Sequence, residues 1–236
     1  MTGNSDGSSS WLTSKLLSIS SQILGSASCF RSRVIGTISL TFLLVVIFQV
    51  EVLVAHFLGY PSSQALLDSF SREIKMLIAA TIGPFIHQGP QHITDNLGVL
   101  IVAGSYLEHQ YDRRSLYIFY VATGYIAAWV PLAMGSVGSV GASGVTFGLT
   151  TWLLVHSISR VFEMAYKGTI DLRIVHFAVV IVGLWKALEV ISILSSIDGA
   201  DDVTHLCGAL IGLFLGLTFA LDYHDISLPT RLSILE

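Results

Sequence analysis

Ser143 lies near the end of the stretch Gly135-Ser-Val-Gly-Ser-Val-Gly-Ala-Ser-Gly144, directly ahead of an apolar run. A glycine loop of this kind delivers the serine to a helix N-terminus, where unpaired N–H groups and the positive dipole end favour developing negative charge. The hydroxyl can attack a carbonyl there while nearby N–H groups hold the oxyanion, provided a base takes its proton. His205 is the natural base. It is followed by Gly208, Gly212 and Gly216, a small-residue stripe that lets two helices approach closely. Asp201 and Asp202 read as exposed loop residues, so no carboxylate is placed to orient the imidazole and the expectation is a Ser–His dyad. Taken singly, Ser143 reads as a helix cap, His205 as a structural histidine and the stripe as plain packing.

The elements that hold these residues follow from composition. Of 236 residues, 53% are hydrophobic and 12% charged, with a mean hydropathy of +0.72; soluble domains carry about 25% charge. Disordered chains, nucleic-acid binders and most soluble enzymes are excluded, and a net charge of −4 offers no polyphosphate footprint. Cys29 and Cys207 fit no CxxC spacing and no disulfide framework. The expected fold class is an all-α polytopic membrane protein.

A crossing helix needs about 20 mostly apolar residues. Six runs qualify: 34–50 with its extension past Glu51 towards residue 58, then 92–107, 116–134, 144–158, 174–194 and 203–221. The run 76–86 is too short and is broken by Gly83-Pro84, so it reads as an interfacial or re-entrant piece. With the N-terminus inside, Lys15, Arg31, Arg33, Arg113, Arg114, Arg160, Lys167, Arg173 and Arg231 are cytoplasmic, against Arg72 and Lys75 outside. That asymmetry fixes an N-inside orientation. The organisation is a Ser-rich cytoplasmic segment over 1–33, a membrane domain over 34–221 and a short cytoplasmic tail over 222–236. The expected home is the plasma membrane. The Ser-rich, acid-poor start also matches an organelle transit peptide, the lesser alternative.

An ionisable residue inside a span costs about 2.5–3.5 kcal/mol on insertion scales, so it is paired or functional. In this topology the second, fourth and sixth spans all enter from outside, and His92, Asn96, Ser143 and His205 share one depth in their first turns. Their coincidence raises the chemical reading above the packing one. Asp95 points about 100° away from Asn96, which suits a structural hydrogen bond. Lys186 and Glu189, three apart on the fifth span, read as an ion pair that neutralises itself. Cys207 lies about 200° round the helix from His205 and makes a poor rival nucleophile.

These residues resemble the rhomboid family of intramembrane serine proteases. The family's GxSG motif stands here as Gly141-Ala142-Ser143-Gly144; its histidine with glycines three and seven residues later stands as His205, Gly208 and Gly212; its His-x4-His-x3-Asn pattern stands as His87, His92 and Asn96. The resemblance covers residues 34–221 and implies a six-helix rhomboid-like bundle. It implies Ser143 as nucleophile, His205 as general base, and His92, Asn96 and the Ser143 N–H as oxyanion donors. It puts Phe147 where many members have a tyrosine packed on the histidine, and Glu108 where a structural glutamate ties loops together. Three departures stand out. Thr204 replaces a frequent alanine and is expected to loosen the contact between the fourth and sixth spans. The first loop lacks a Trp-Arg pair. Asp95 replaces a commonly apolar residue.

The function so implied is a serine endopeptidase that cleaves transmembrane segments of other membrane proteins near the outer face of the bilayer, through an acyl-enzyme and without cofactor or metal. The lipid bilayer and transmembrane substrates are the expected partners, and nucleic acid is not. Two alternatives belong to other classes. A non-proteolytic rhomboid-like scaffold binding membrane-protein clients would usually lack the serine or the histidine. A small transporter would show inverted repeats with helices broken at the midplane.

Overall fold

An apolar stretch without proline builds the first helix, α1 (Ile35–Phe57). At 23 residues it is about 34 Å long, enough for a hydrocarbon core of about 30 Å. Its leading N–H groups cannot bond within the helix. Those of Gly36 and Thr37 donate instead to the buried carboxylate of Glu108, at 2.7 Å each, and the Thr37 hydroxyl donates to it at 2.9 Å. Glu108, 72 residues away from Gly36 in the chain, therefore caps α1 and ties it to the second expected span. The computed structural model describes residues 34–166, 181, 184–185, 188–193 and 199–223, and every regular element among these is helical.

Two short helices follow, α2 (Ser63–Ser69) and α3 (Arg72–Thr81), each capped by the serine before it. Helix α3 stops where Gly83-Pro84 begins, and a 3₁₀ turn over Gly83–Phe85 carries the chain on. The carbonyls left open there are met from α6 (Arg113–Ala133): Trp129 Nε1 donates to Ala80 O at 2.9 Å, the Tyr125 hydroxyl to Thr81 O at 2.5 Å and the buried Tyr120 hydroxyl to Pro84 O at 2.8 Å. The segment before the second span is thereby held against α6.

Residues 90–110 run as one helical rod: α4 (Pro90–Val99), a π turn over Leu100–Gly104 and α5 (Ser105–Gln110). Proline at the first helical position suits the start. The π turn was not legible in the spacing. Asp112 caps α6 by accepting from Ser115 N at 2.6 Å, and these Ser115 hydrogen bonds hold its carboxyl below the usual range. The remaining long helices are α7 (Ser143–Tyr166) and α8 (Ala200–Tyr223), which lie along each other with α6 beside them. Leu44, Leu100, Leu116, Tyr120, Leu149 and Trp152 pack the centre.

Among the described residues three helices are long and apolar enough to cross a membrane, namely Ile35–Phe57, Arg113–Ala133 and Ala200–Thr218. The expected count of six is not met by that criterion. The rod over 90–110 is interrupted by the π turn and carries His92, Asp95, Asn96 and Glu108, while α7 carries Thr146, Thr150, Thr151 and His156. Most of the fifth expected span, with Lys186, lies outside the described residues, as do 1–33, Cys29 and 224–236. Phe42, Phe57 and Phe214 are 69%, 90% and 66% exposed, so apolar side chains face outward along α1 and α8, as lipid solvent allows.

Candidate active site

The loop ahead of Ser143 is held at three points. Gly141 N donates to Gly83 O at 2.8 Å, and Ala142 N points at His87 Nε2 across a long 3.5 Å. The Ser139 hydroxyl donates to Asp201 Oδ1 at 2.5 Å. Gly141 has φ +122°, and a Cβ there would stand 2.5 Å from Cε1 of His92. Only glycine takes that conformation and leaves room for the imidazole. The chain then enters α7, so Ser143 occupies its first position and is buried.

Asp201 and Asp202 correct a reading of the sequence. They stand in the first turn of α8 and not in a loop, because the helix starts at Ala200. Asp201 thus links the loop ahead of Ser143 to the helix bearing His205.

Helices α7 and α8 cross through their glycines. A methyl group at 208 would overlap the carbonyl of Gly144, and one at 212 the carbonyl of Gly148. Thr204 lies within this contact. Its hydroxyl bonds back to Ala200 O at 2.8 Å, and its methyl faces Gly144. With Gly144 seated between Thr204 and Gly208, residue 205 comes to the level of the first turn of α7. There the His205 ring stacks on Phe147, with centroids 4.3 Å apart and planes 13° apart.

His87 is fully buried in the turn before α4. Burial first, and the neighbouring His92 second, push its imidazole down to about 4, so the ring is neutral. Nδ1–H then donates to Phe85 O at 3.2 Å, leaving Nε2 to accept from Ala142 N. Its backbone N–H donates to Glu51 Oε2 at 3.1 Å, a role for Glu51 that no spacing in the sequence signalled. His92 stands edge-on to His87 with ring centroids 5.4 Å apart. Asn96 is buried; its Oδ1 lies 3.2 Å from the Thr146 hydroxyl, and its Nδ2 is buried without a partner. Asp95 faces outward and accepts from Gln91 Nε2 at 2.8 Å, within its own helix. No group of three His, Cys, Asp or Glu side chains among the described residues is placed to hold a metal.

The site therefore gathers a helix-terminal serine, a ring-stacked histidine and an unpartnered amide donor among membrane-type helices. This defines a class, the helical membrane proteins with a polar site built between their spans. The family model described as "Rhomboid domain" matches residues 75–221, more than half of the chain, and the chain belongs to the rhomboid family. It is an integral membrane protein. It is 29% identical over 142 residues to "Rhomboid-like protein 11, chloroplastic" of Arabidopsis thaliana, a match covering 56% of this chain and 48% of that protein. The match thus spans about half the length of the curated relative.

Proposed function

We propose that this chain is an intramembrane serine endopeptidase that cleaves transmembrane segments of other membrane proteins near one face of the bilayer. The observation that carries the reading is the glycine crossing of α7 and α8, which brings the helix carrying His205 against the first turn of α7, where Ser143 stands. In this mechanism His205 takes the Ser143 proton as Oγ attacks the scissile carbonyl. The negative charge develops where the Ser143 N–H, the free Asn96 Nδ2 and His92 donate. Collapse breaks the C–N bond, the proton passes from His205 to the leaving amine, and water hydrolyses the acyl-enzyme with His205 again as base. Gly141 and Gly144 give the backbone room for this arrangement, and Phe147 fixes the imidazole plane.

Six crossings with the N-terminus inside complete the reading. The described name of the Arabidopsis relative and the Ser-rich, acid-poor residues 1–33 favour an organelle membrane over the plasma membrane.

A fluorophosphonate probe tests the site directly. Labelling of Ser143 that is lost in His205→Ala is expected. No labelling, or labelling indifferent to His205→Ala, would move the protein to the scaffold class.

A further inference from the structure

Thr146 stands one turn along α7 from Ser143, three residues on, and is buried. Its hydroxyl lies 3.2 Å from Asn96 Oδ1 and 2.9 Å from Ser143 O. A threonine hydroxyl has one proton to give and two lone pairs. Ser143 O, at the start of α7, serves the helix's own ladder and keeps a second lone pair, so the one proton is shared between it and Asn96 Oδ1. Asn96 Oδ1 meets the Thr146 hydroxyl and faces away from solvent, and the Nδ2 on the same amide is buried with no partner. An amide is a two-ended group, and its hydrogen-bond partners decide which end points where.

We propose that Thr146 is a positioning residue for the oxyanion donor: its hydroxyl, donating to Asn96 Oδ1, holds the amide with Nδ2 turned towards the reacting carbonyl. The inference rests on the protease reading above. With the amide reversed, Oδ1 would face the developing oxyanion and repel it, while Nδ2 would use Thr146 as its acceptor. Donation to Oδ1 prevents this and also polarises the amide, which strengthens its N–H as a donor. Thr146 touches neither substrate nor nucleophile side chain in this role. Its effect is confined to a charge that exists only in the transition state, so it belongs to kcat and not to KM.

The test is a set of variants assayed for cleavage of a labelled transmembrane substrate in vesicles, with thermal unfolding measured on each. Thr146→Val keeps the shape and removes the hydroxyl. It is expected to lower kcat about tenfold, roughly what one hydrogen bond supplies, at an unchanged KM. Thr146→Ser, which keeps the donor, is expected to restore the parent rate. In an Asn96→Ala background, itself slowed by about 10²–10³ if Asn96 is a sole donor at its position, Thr146→Val is expected to change nothing further. An unaltered kcat in Thr146→Val overturns the proposal, as does the same tenfold loss with and without Asn96. A loss matched by a fall in unfolding temperature, and not rescued by serine, overturns it too. A parent chain that neither cleaves nor reacts with fluorophosphonate overturns the protease reading and this inference with it, whereas an active parent with an indifferent Thr146 overturns this inference alone.

Discussion

The Phe147 ring lies flat against the His205 ring, with centroids 4.3 Å apart and planes 13° apart, and the two sit on adjacent helices that touch through backbone. Such a stack fixes the imidazole plane by contact alone and is worth about 0.5–1.5 kcal/mol beyond its buried area. Phe147→Leu keeps the bulk and loses the flat face. It is expected to slow cleavage about tenfold, while Phe147→Tyr stays near the parent rate. Cleavage by the leucine variant at the parent rate would remove the ring from the account.

The glycine crossing predicts a sharp steric response. Gly208→Ala places a methyl group inside the Gly144 carbonyl, a backbone contact that no side-chain rotation relieves. Overpacking of this kind costs about 1–3 kcal/mol, and separating the helices withdraws His205 from Ser143. Lower unfolding temperature and lost activity are expected together. Gly199→Ala is the control, since nothing lies within 4 Å of a Cβ there. Equal unfolding temperatures for the two variants would contradict the crossing.

Glu108 makes a prediction about stability without chemistry. Its buried carboxylate accepts from Gly36 N, Thr37 N and the Thr37 hydroxyl. Glu108→Ala strands those donors at the start of α1 and is expected to cost about 2–4 kcal/mol, measured by denaturation in detergent. The part that remains folded is expected to react with fluorophosphonate as the parent does. A variant as stable as the parent would show that α1 is capped in another way.

His87 predicts an acid limb. Its imidazole sits near 4 in the folded protein, below its ordinary value of about 6.5, so the unfolded chain binds the proton more readily. The stability it contributes is complete above about 6.5 and is lost as pH falls from there towards 4. A charged ring also cannot accept from Ala142 N at Nε2, so the loop ahead of Ser143 loosens in the same window. Unfolding temperature against pH should fall less steeply for His87→Gln between 6.5 and 4. Parallel curves would contradict the assignment.

Much of the site was legible because its signals are local. Three glycines before Ser143 and one after it announce a loop that ends at a helix, and Gly208, Gly212 and Gly216 announce a close helix face. Family motifs then join the two. What stayed hidden depends on pairings across the chain. Periodicity carries no trace of Glu51 holding His87 N, of Ser139 reaching Asp201, or of Thr146 meeting Asn96. Two acids beside a glycine looked like a loop, yet Asp201 and Asp202 lie in the first turn of α8, where carboxylates suit the positive end of the dipole. No spacing shows that the Thr204 hydroxyl turns back to Ala200 O while its methyl lies beside Gly144. The π turn at Leu100–Gly104 sits in an apolar stretch whose spacing fits an ordinary helix equally well.

The most direct measurement takes the full chain in lipid vesicles with labelled transmembrane substrates, alongside Ser143→Ala and His205→Ala. The expected result is a cut within the substrate's transmembrane segment by the parent and none by either variant. Cleavage that survives Ser143→Ala, or a parent chain that cuts no substrate and takes up no fluorophosphonate, would contradict it.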